Sequence, residues 1–470
     1  MNKHFKNIIC FSLIMTMIFS LSACGKQDYI NVEEATNQGE YALQPVGNYD
    51  SKEIYEYADE GIKQQVEEIF ESKDGLCKIL VYPDYYDVTL DYEKGTPSEV
   101  GQAYAETILE ANPEYIDIIE PYIYENIKGA FSGHISNYHV LEDRMNVLFD
   151  SIPEEYREEI KAFASTISKG EKGFVENGKI SYEEAIIVQM VPDALRPTSC
   201  SALSLWGNKT TTGEGITLRS LEWNLGSEFQ IGNVNAVVHM VKGDRSITTI
   251  SMLGLLDVIS GINNDGVFVG ILDVGASEYP FVYEGKRCYT FDIRYALEEF
   301  DNATDVGNYM VDNSGNYTWC HNLIITDSEN SYCAEDCVAD VYEGGDGYSI
   351  LREEDTPILE GLNWESVDSL CVLNSFMAEG NLDIFTGSLD NMVRFEKYNR
   401  WVKEIDKFSV KDVKDMITQE STAQYDVVNV HSNYTAHLVL VDYSTGNIQV
   451  AFTGSSGVVD KPLFLDVGNY

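Results

Sequence analysis

The sequence predicts an α+β fold with layered sheets, and three observations carry that prediction. From about residue 52 to 195 the apolar side chains recur three and four apart, the period of a helix. After Cys200 the pattern changes to short β-rich segments, often separated by polar turns. Two helix-like stretches then interrupt the β-rich part. At 470 residues, with 44% apolar and 23% charged residues, the chain has the size and composition of a folded, water-soluble protein of one large or two ordinary domains.

The elements follow in chain order. "MNKHFKN" carries Lys3 and Lys6, and "IICFSLIMTMIFSLSA" adds sixteen mostly apolar residues, too few for a comfortable membrane span. This is the pattern of a signal peptide over residues 1–23. The sequence Leu21, Ser22, Ala23, Cys24 resembles a bacterial lipobox, whose cysteine receives lipid and becomes the mature N-terminus. It implies a membrane lipoprotein held outside the cytoplasm through Cys24. Ordinary secretion is the plainer alternative. Residues 24–51 are polar and aperiodic, as in a tether.

Residues 52–199 form a mostly helical leader. Its helices are expected in "SKEIYEYADEGIKQQVEEIFES", in "PSEVGQAYAETILEANPEYIDIIEPYIYENI" and after Ser151, read as an N-cap with Pro153 in the first turn. "SYEEAIIVQMV" adds a helix with an acidic start. Strands are expected in "ITLRSLEW", "NAVVHMV", "SITTISML", "GVFVGILDV" and "NLIITDS". "AHLVLVDYSTGNIQVAF" reads as a hairpin turning at Ser444, Thr445 and Gly446. The interrupting helices are "CYTFDIRYALEEFDNA" and "SLDNMVRFEKYNRWVKEIDKF".

Charge narrows the partners. With 77 acidic against 32 basic residues the chain carries a net charge of -45, which repels phosphate backbones and argues against nucleic acid. Of nine cysteines, Cys10 lies in the signal peptide and Cys24 in the lipobox, leaving Cys77, Cys200, Cys288, Cys320, Cys333, Cys337 and Cys371. That odd number leaves at least one thiol unpaired within the chain. Cys333 and Cys337 lack the second pair that a zinc site needs, and no cofactor is expected.

"RPTSCSALSLWG" places Cys200 where the helical leader meets the first strand of the β-rich region. Taken singly it reads as a small buried residue. As a nucleophile it needs a base or a positive field to form thiolate. His431 or His437 offers one route, a Cys–His hydrolase, although a cysteine in a strand lacks the helix dipole such enzymes use. The other route makes Cys200 the first residue of a chain, so that its own α-amino group, of reference pKa ~8, serves as the base. That requires a cut between Ser199 and Cys200.

"CSALSLWGNKTTTGEGITLRSLEWN" resembles the opening of the N-terminal-nucleophile (Ntn) amide hydrolases, the choloylglycine hydrolase, acid ceramidase-like and acyl-coenzyme A:6-aminopenicillanic acid acyltransferase group. The returning strand aligns Arg219 with that group's active-site arginine and Glu222 with the aspartate that holds the nucleophile's amine. Ser220 and Glu222 stand where the family carries Asn and Asp. "SGINNDGVFVGI" resembles its Gly-x-Asn-Glu-x-Gly turn and gives Asn263 as an oxyanion or substrate contact. "LCVLNSF" gives Asn374 as a second oxyanion donor, and "DNMVRFEKYNRW" gives Arg394, which the resemblance implies orients the nucleophile or substrate together with Arg219. The resemblance spans roughly residues 155–455. It implies a four-layer αββα sandwich over residues 200–470, preceded by the mostly helical leader. It also implies autocatalytic cleavage, a Cys200 thioester, and a small-molecule amide as substrate, hydrolysed or acyl-transferred. Bile salts, N-acyl amino acids, acylated lactones or amines and penicillin-like amides all fall within that class. A non-catalytic binding lipoprotein on the same fold is the alternative that Ser220 and Glu222 favour.

Overall fold

The computed structural model describes residues 57–130, 138–195, 198–274, 283–338, 347–364, 366–382, 388–419 and 429–470. The expected signal peptide, Cys24 and the expected tether lie outside the described residues. Among those described, no helix is long and apolar enough to cross a membrane.

The chain before Cys200 forms β1 (Glu68–Glu71), β2 (Cys77–Val81), β3 (Tyr86–Asp91), α1 (Pro97–Ala111), α2 (Tyr115–Ala130), α3 (Tyr138–Ser151), α4 (Glu154–Ser168), α5 (Tyr182–Val188) and α6 (Val191–Leu195). Beyond it come β4 (Thr198–Leu205), β5 (Ile216–Trp223), β6 (Asn235–Lys242), β7 (Arg245–Met252), β8 (Ser260–Asn263) and β9 (Phe268–Asp273). The helices α7 (Tyr289–Glu299) and α8 (Ala303–Asn313) precede β10 (His321–Thr326), β11 (Ser331–Asp336), β12 (Ile350–Arg352) and β13 (Ser369–Val372). The helices α9 (Leu389–Glu404) and α10 (Val410–Gln419) precede β14 (Thr435–Asp442), β15 (Asn447–Phe452) and β16 (Leu465–Asn469).

Two sheets result. One runs β1-β2-β3-β6-β7-β8-β9-β10-β11-β12, and the other β13-β4-β5-β14-β15-β16. Every pairing within them is antiparallel except β3 with β6, where Tyr86 faces Ala236 and Asp91 faces Val241. Their facing sides enclose a core that includes Cys200, Ala202, Leu221, Val237, Ile250 and Ile271. Leu203, Leu205, Leu218 and Leu438 point the other way, against Phe395, Tyr398 and Trp401 of α9 and Val413 and Ile417 of α10. Val88, Leu90, Val238 and Met240 pack on Val100, Tyr104 and Ile160 of the leader helices. The helix α7 continues that outer layer, its Phe291 ring 6.0 Å from Tyr156 of α4. The order is helix, sheet, sheet, helix, the four layers expected. Each large apolar side chain fully buried in these cores contributes about 1.5–3 kcal/mol.

The leader departs from its helical reading in two places. Residues 57–67 contain no helix, and 68–91 form three strands that extend the larger sheet. The cause is tertiary: Ile62 N–H donates to Phe464 O, and Lys414 Nζ donates to the carbonyls of Ala58, Asp59 and Glu60. Such hydrogen bonds to distant backbone outweigh a local periodicity. Ser151 is not an N-cap either. It ends α3, donating to Leu148 O at 2.6 Å, while Pro153 occupies the cap position of α4. The other expected helices form, and α8 and α10 are additional to the two expected in the β-rich part. The helix α1 is closed by a Thr96–Glu99 capping box and α5 by a Ser181–Glu184 box.

Candidate active site

The site grows out of strand alternation. In β4, Cys200 and Ala202 face the core between the sheets, whereas Leu203 and Leu205 face α9 and α10. In β5, Leu221 and Trp223 face the inter-sheet core, Arg219 meets Cys200 there, and Leu218 faces the helices. Cys200 pairs with Leu221 and Ala202 with Arg219, so the guanidinium lies one diagonal step from the thiol.

Each polar part of Cys200 has a side-chain partner. Arg219 Nη2 donates to Sγ at 3.3 Å. The backbone N–H donates to Asn374 Oδ1 at 2.7 Å. The carbonyl accepts from Arg394 Nη1 at 2.6 Å. Cys200 is fully buried. Burial pushes its thiol pKa up, and the Arg219 charge, then the Glu222 backbone N–H, pull it back.

Arg219 is itself fully buried. It also donates to Ile271 O at 2.7 Å and meets His437 Nε2 at 3.2 Å. Since a guanidinium only donates, His437 Nε2 accepts. Burial depresses the arginine's pKa, opposed by the neighbouring Cys200 and Tyr289 rather than by a carboxylate. Gly270 makes the room: a Cβ there would lie 3.1 Å from Arg219 Cγ.

Arg394, on α9, ties the surrounding groups together. Its Nη2 donates to Asn374 Oδ1 at 2.9 Å and to Asn391 Oδ1 at 3.0 Å, and its Nη1 lies 3.6 Å from Glu222 Oε2. Ser432 donates to Glu222 Oε1 at 3.2 Å. Asn374 Nδ2 donates to Asp273 O at 2.6 Å, bridging from the end of β13 in one sheet to β9 of the other.

The structure therefore brings five expected residues together: Cys200, Arg219, Glu222, Asn374 and Arg394. Their parts differ from the expectation. Asn374 takes the Cys200 N–H, and Glu222 reaches Cys200 through Arg394. Asn263 does not join them. Its Nδ2 donates to Leu297 O and Phe300 O, and its Oδ1 accepts from Asp265 and Val267 N–H. The amide is consumed by turn and helix backbone, leaving no donor for an oxyanion. Its turn explains it.

The histidines are not on the sulfur. His437 contacts Arg219 and Ser260 Oγ, and burial followed by the Arg219 charge holds its pKa well below the usual value. His431 Nε2 meets Val459 O at 2.9 Å. Sequence reasoning missed Asn391, Ser432, Tyr289 and Gly270. Only Asn391 carried a signal, standing three residues before Arg394 on one helix face.

Behind Arg219 lies a buried acidic cluster. Asp193, in α6, accepts from Tyr289 N–H at 2.7 Å and Thr290 Oγ at 2.8 Å. Burial pushes its carboxyl up to about 7. His321 Nε2 lies 3.0 Å from Asp336 Oδ2, and the His321 ring stacks on Tyr289 at 4.0 Å.

No family model matches the chain, and no curated protein matches it. Solved structures do. An N-acylethanolamine-hydrolyzing acid amidase ortholog from Caenorhabditis elegans is 13% identical, covering 52% of this chain and 92% of that one, with a TM-score of 0.35. A mutant of conjugated bile acid hydrolase from Clostridium perfringens is 12% identical, covering 58% and 95%, with a TM-score of 0.37. Penicillin V acylase from Agrobacterium tumefaciens is 13% identical, covering 54% and 83%, with a TM-score of 0.33. By name the three are an acid amidase, a bile acid hydrolase and an acylase.

Proposed function

We propose that the protein hydrolyses linear, non-peptide amide bonds, with Cys200 as an N-terminal nucleophile freed by autocatalytic cleavage after Ser199. One observation carries the reading: the N–H, carbonyl and thiol of the fully buried Cys200 each have a polar side-chain partner. A cysteine kept for packing needs no cation on its sulfur, and side chains on both its backbone groups are more than burial alone requires. A nucleophile whose amine must stay beside its sulfur needs all three.

In the processed enzyme the Cys200 amine takes the thiol proton as sulfur attacks the substrate carbonyl. The C–N bond breaks, the leaving amine takes that proton, and a thioester remains. Water then attacks the thioester, yielding the acid and restoring the thiol; in acyl transfer a second amine replaces water. Arg219 stabilises sulfur's negative charge through a charge-assisted hydrogen bond. Asn374 and Arg394 keep the amine and backbone of Cys200 in register. The neutral His437, accepting from Arg219, is a poor base for the sulfur, which disfavours the Cys–His reading.

Cys24 carries lipid in this reading and holds the enzyme on the outer face of a membrane, where it meets extracellular amides. Sequencing the N-termini of the purified protein, followed by an amide-substrate panel, tests the function. A new terminus at Cys200 and turnover that disappears in Cys200→Ala are expected; an uncut chain of full activity overturns the proposal. Incorporation of a labelled fatty acid that disappears in Cys24→Ala tests the anchor.

A further inference from the structure

Cys320 and Cys337 flank the β10–β11 hairpin one step beyond its last regular pair. Since His321 faces Asp336, the register sets Cys320 opposite Cys337. Their backbone groups point apart: Cys320 O accepts from Val274 N–H on the β9 side. Cys337 N–H donates to Ser349 Oγ at 2.9 Å, and Ser349 Oγ donates back to Cys337 O at 3.2 Å. This is a non-hydrogen-bonded antiparallel pair, in which facing Cα atoms stand about 4.5 Å apart and side chains approach most closely. A disulfide accepts Cα separations of about 4.4–6.8 Å. Both side chains belong to the same buried cluster between the layers.

We propose that Cys320 and Cys337 close into an intramolecular disulfide when the protein meets a disulfide oxidant. The two thiols lose two electrons and two protons to the oxidant, a protein or small-molecule disulfide, which leaves as two thiols; one S–S bond forms between Cys320 and Cys337. A hydrogen bond between the two thiols in the reduced chain agrees with this pairing. The alternative suggested by proximity in sequence, Cys333 with Cys337, fails on distance. Four residues along one extended strand span roughly 13 Å.

The clamp has a place in the site. From β10, Asn322 Nδ2 donates to the carbonyls of Leu373 and Ser375, on either side of Asn374. From β11, Glu335 accepts from Met377 and Ala378 N–H and from Asn381 Nδ2. The hairpin that the disulfide closes is thus the support of the segment carrying Asn374.

The purified, reduced full-length protein is equilibrated with oxidised glutathione, alkylated with iodoacetamide, digested without reductant and mapped by mass. The expected result is a single linked peptide pair, Cys320 with Cys337, lighter by two hydrogens than the separate peptides. Oxidised protein is expected to melt roughly 3–6 °C above reduced protein, a difference that vanishes in Cys320→Ser. Alkylation of both cysteines after equilibration, or linkage of either to another cysteine, overturns the proposal. These readouts do not involve turnover, so they stand or fall apart from the amidase reading.

Discussion

Replacing Arg219 by methionine separates a catalytic arginine from a structural one. The guanidinium is fully buried, its Nε has no hydrogen-bond partner among the described residues, and Cys200 and Tyr289 are the groups that oppose the loss of its charge. Such a cation is costly to hold in a core, so removing it relieves a desolvation penalty of several kcal/mol. Against that, Ile271 O loses a 2.7 Å donor, at about 1–3 kcal/mol. Methionine fills similar space and carries no charge, so Tm is expected to stay level or rise. Activity behaves in the opposite way. A hydrogen bond to a charged group contributes about 1.5–3 kcal/mol, and the 3.3 Å contact to Sγ supplies it as thiolate forms. Its loss slows kcat/KM by about 10- to 150-fold. Thermal unfolding and turnover are measured on the same preparations, with the rate of internal cleavage followed by intact mass. Arg219→Lys, which keeps the charge but not the fork, recovers part of the rate. His437→Gln preserves an acceptor for Arg219 and is expected to cost less than about tenfold, below what general-base catalysis contributes. Activity within about threefold of wild type in Arg219→Met, or a Tm loss that accounts for the whole decline, refutes the reasoning.

Four further outcomes are expected. After cleavage the two pieces stay together, because the leader supplies β3 to the larger sheet and its buried Glu159 holds Arg294 at 2.8 Å; gel filtration separates them only in denaturant. Asn374→Ala strips the Cys200 N–H of its acceptor and slows cleavage by about 5- to 150-fold, at the usual 1–3 kcal/mol for an orphaned buried group. By contrast Asn263→Ala lowers Tm but leaves kcat of the folded enzyme unchanged, as activity and melting of the two variants reveal. Asp193 has a folded pKa of about 7 against an ordinary 3.8, so the stability it contributes is complete below about pH 4 and is lost as pH rises through 7. A shift of that size corresponds to about 4 kcal/mol, and Asp193→Asn is expected to flatten the decline of Tm between about pH 4 and 7; parallel slopes for the two proteins count against it.

What the sequence disclosed and what it hid have separate physical causes. The strands around Cys200 were readable because short apolar, β-rich runs end at polar, Gly-containing turns, as "ITLRSLEW" follows "NKTTTGEG"; both of its faces are buried. The first three strands pair with their chain neighbours, β1 with β2 and β2 with β3, and only β3 reaches a distant partner, β6, so the helical reading passed over a local meander. β1 gave little sign, Ile69 being 61% exposed, whereas β2 and β3 bury alternate residues, Cys77 and Ile79, then Val88 and Leu90. Within the site, the spacing of Arg219 and Glu222 held more information than their identities. Three residues apart in a strand, they must point to opposite faces, so both cannot meet Cys200 in the same way. The structure resolves this by giving the thiol to Arg219 and the backbone to Arg394, with Glu222 set behind Arg394. Asn263 shows the converse: an asparagine in "NNDG" satisfies its turn so fully that no chemistry is left over. The missing histidine then acquires a reason. In the proposed mechanism a sulfur already paired with a buried cation, and a histidine kept neutral by burial and then by that same cation, leave the base for Cys200 to be found elsewhere. The nearest candidate in the chain is the nitrogen of Cys200 itself, which Asn374 holds in place.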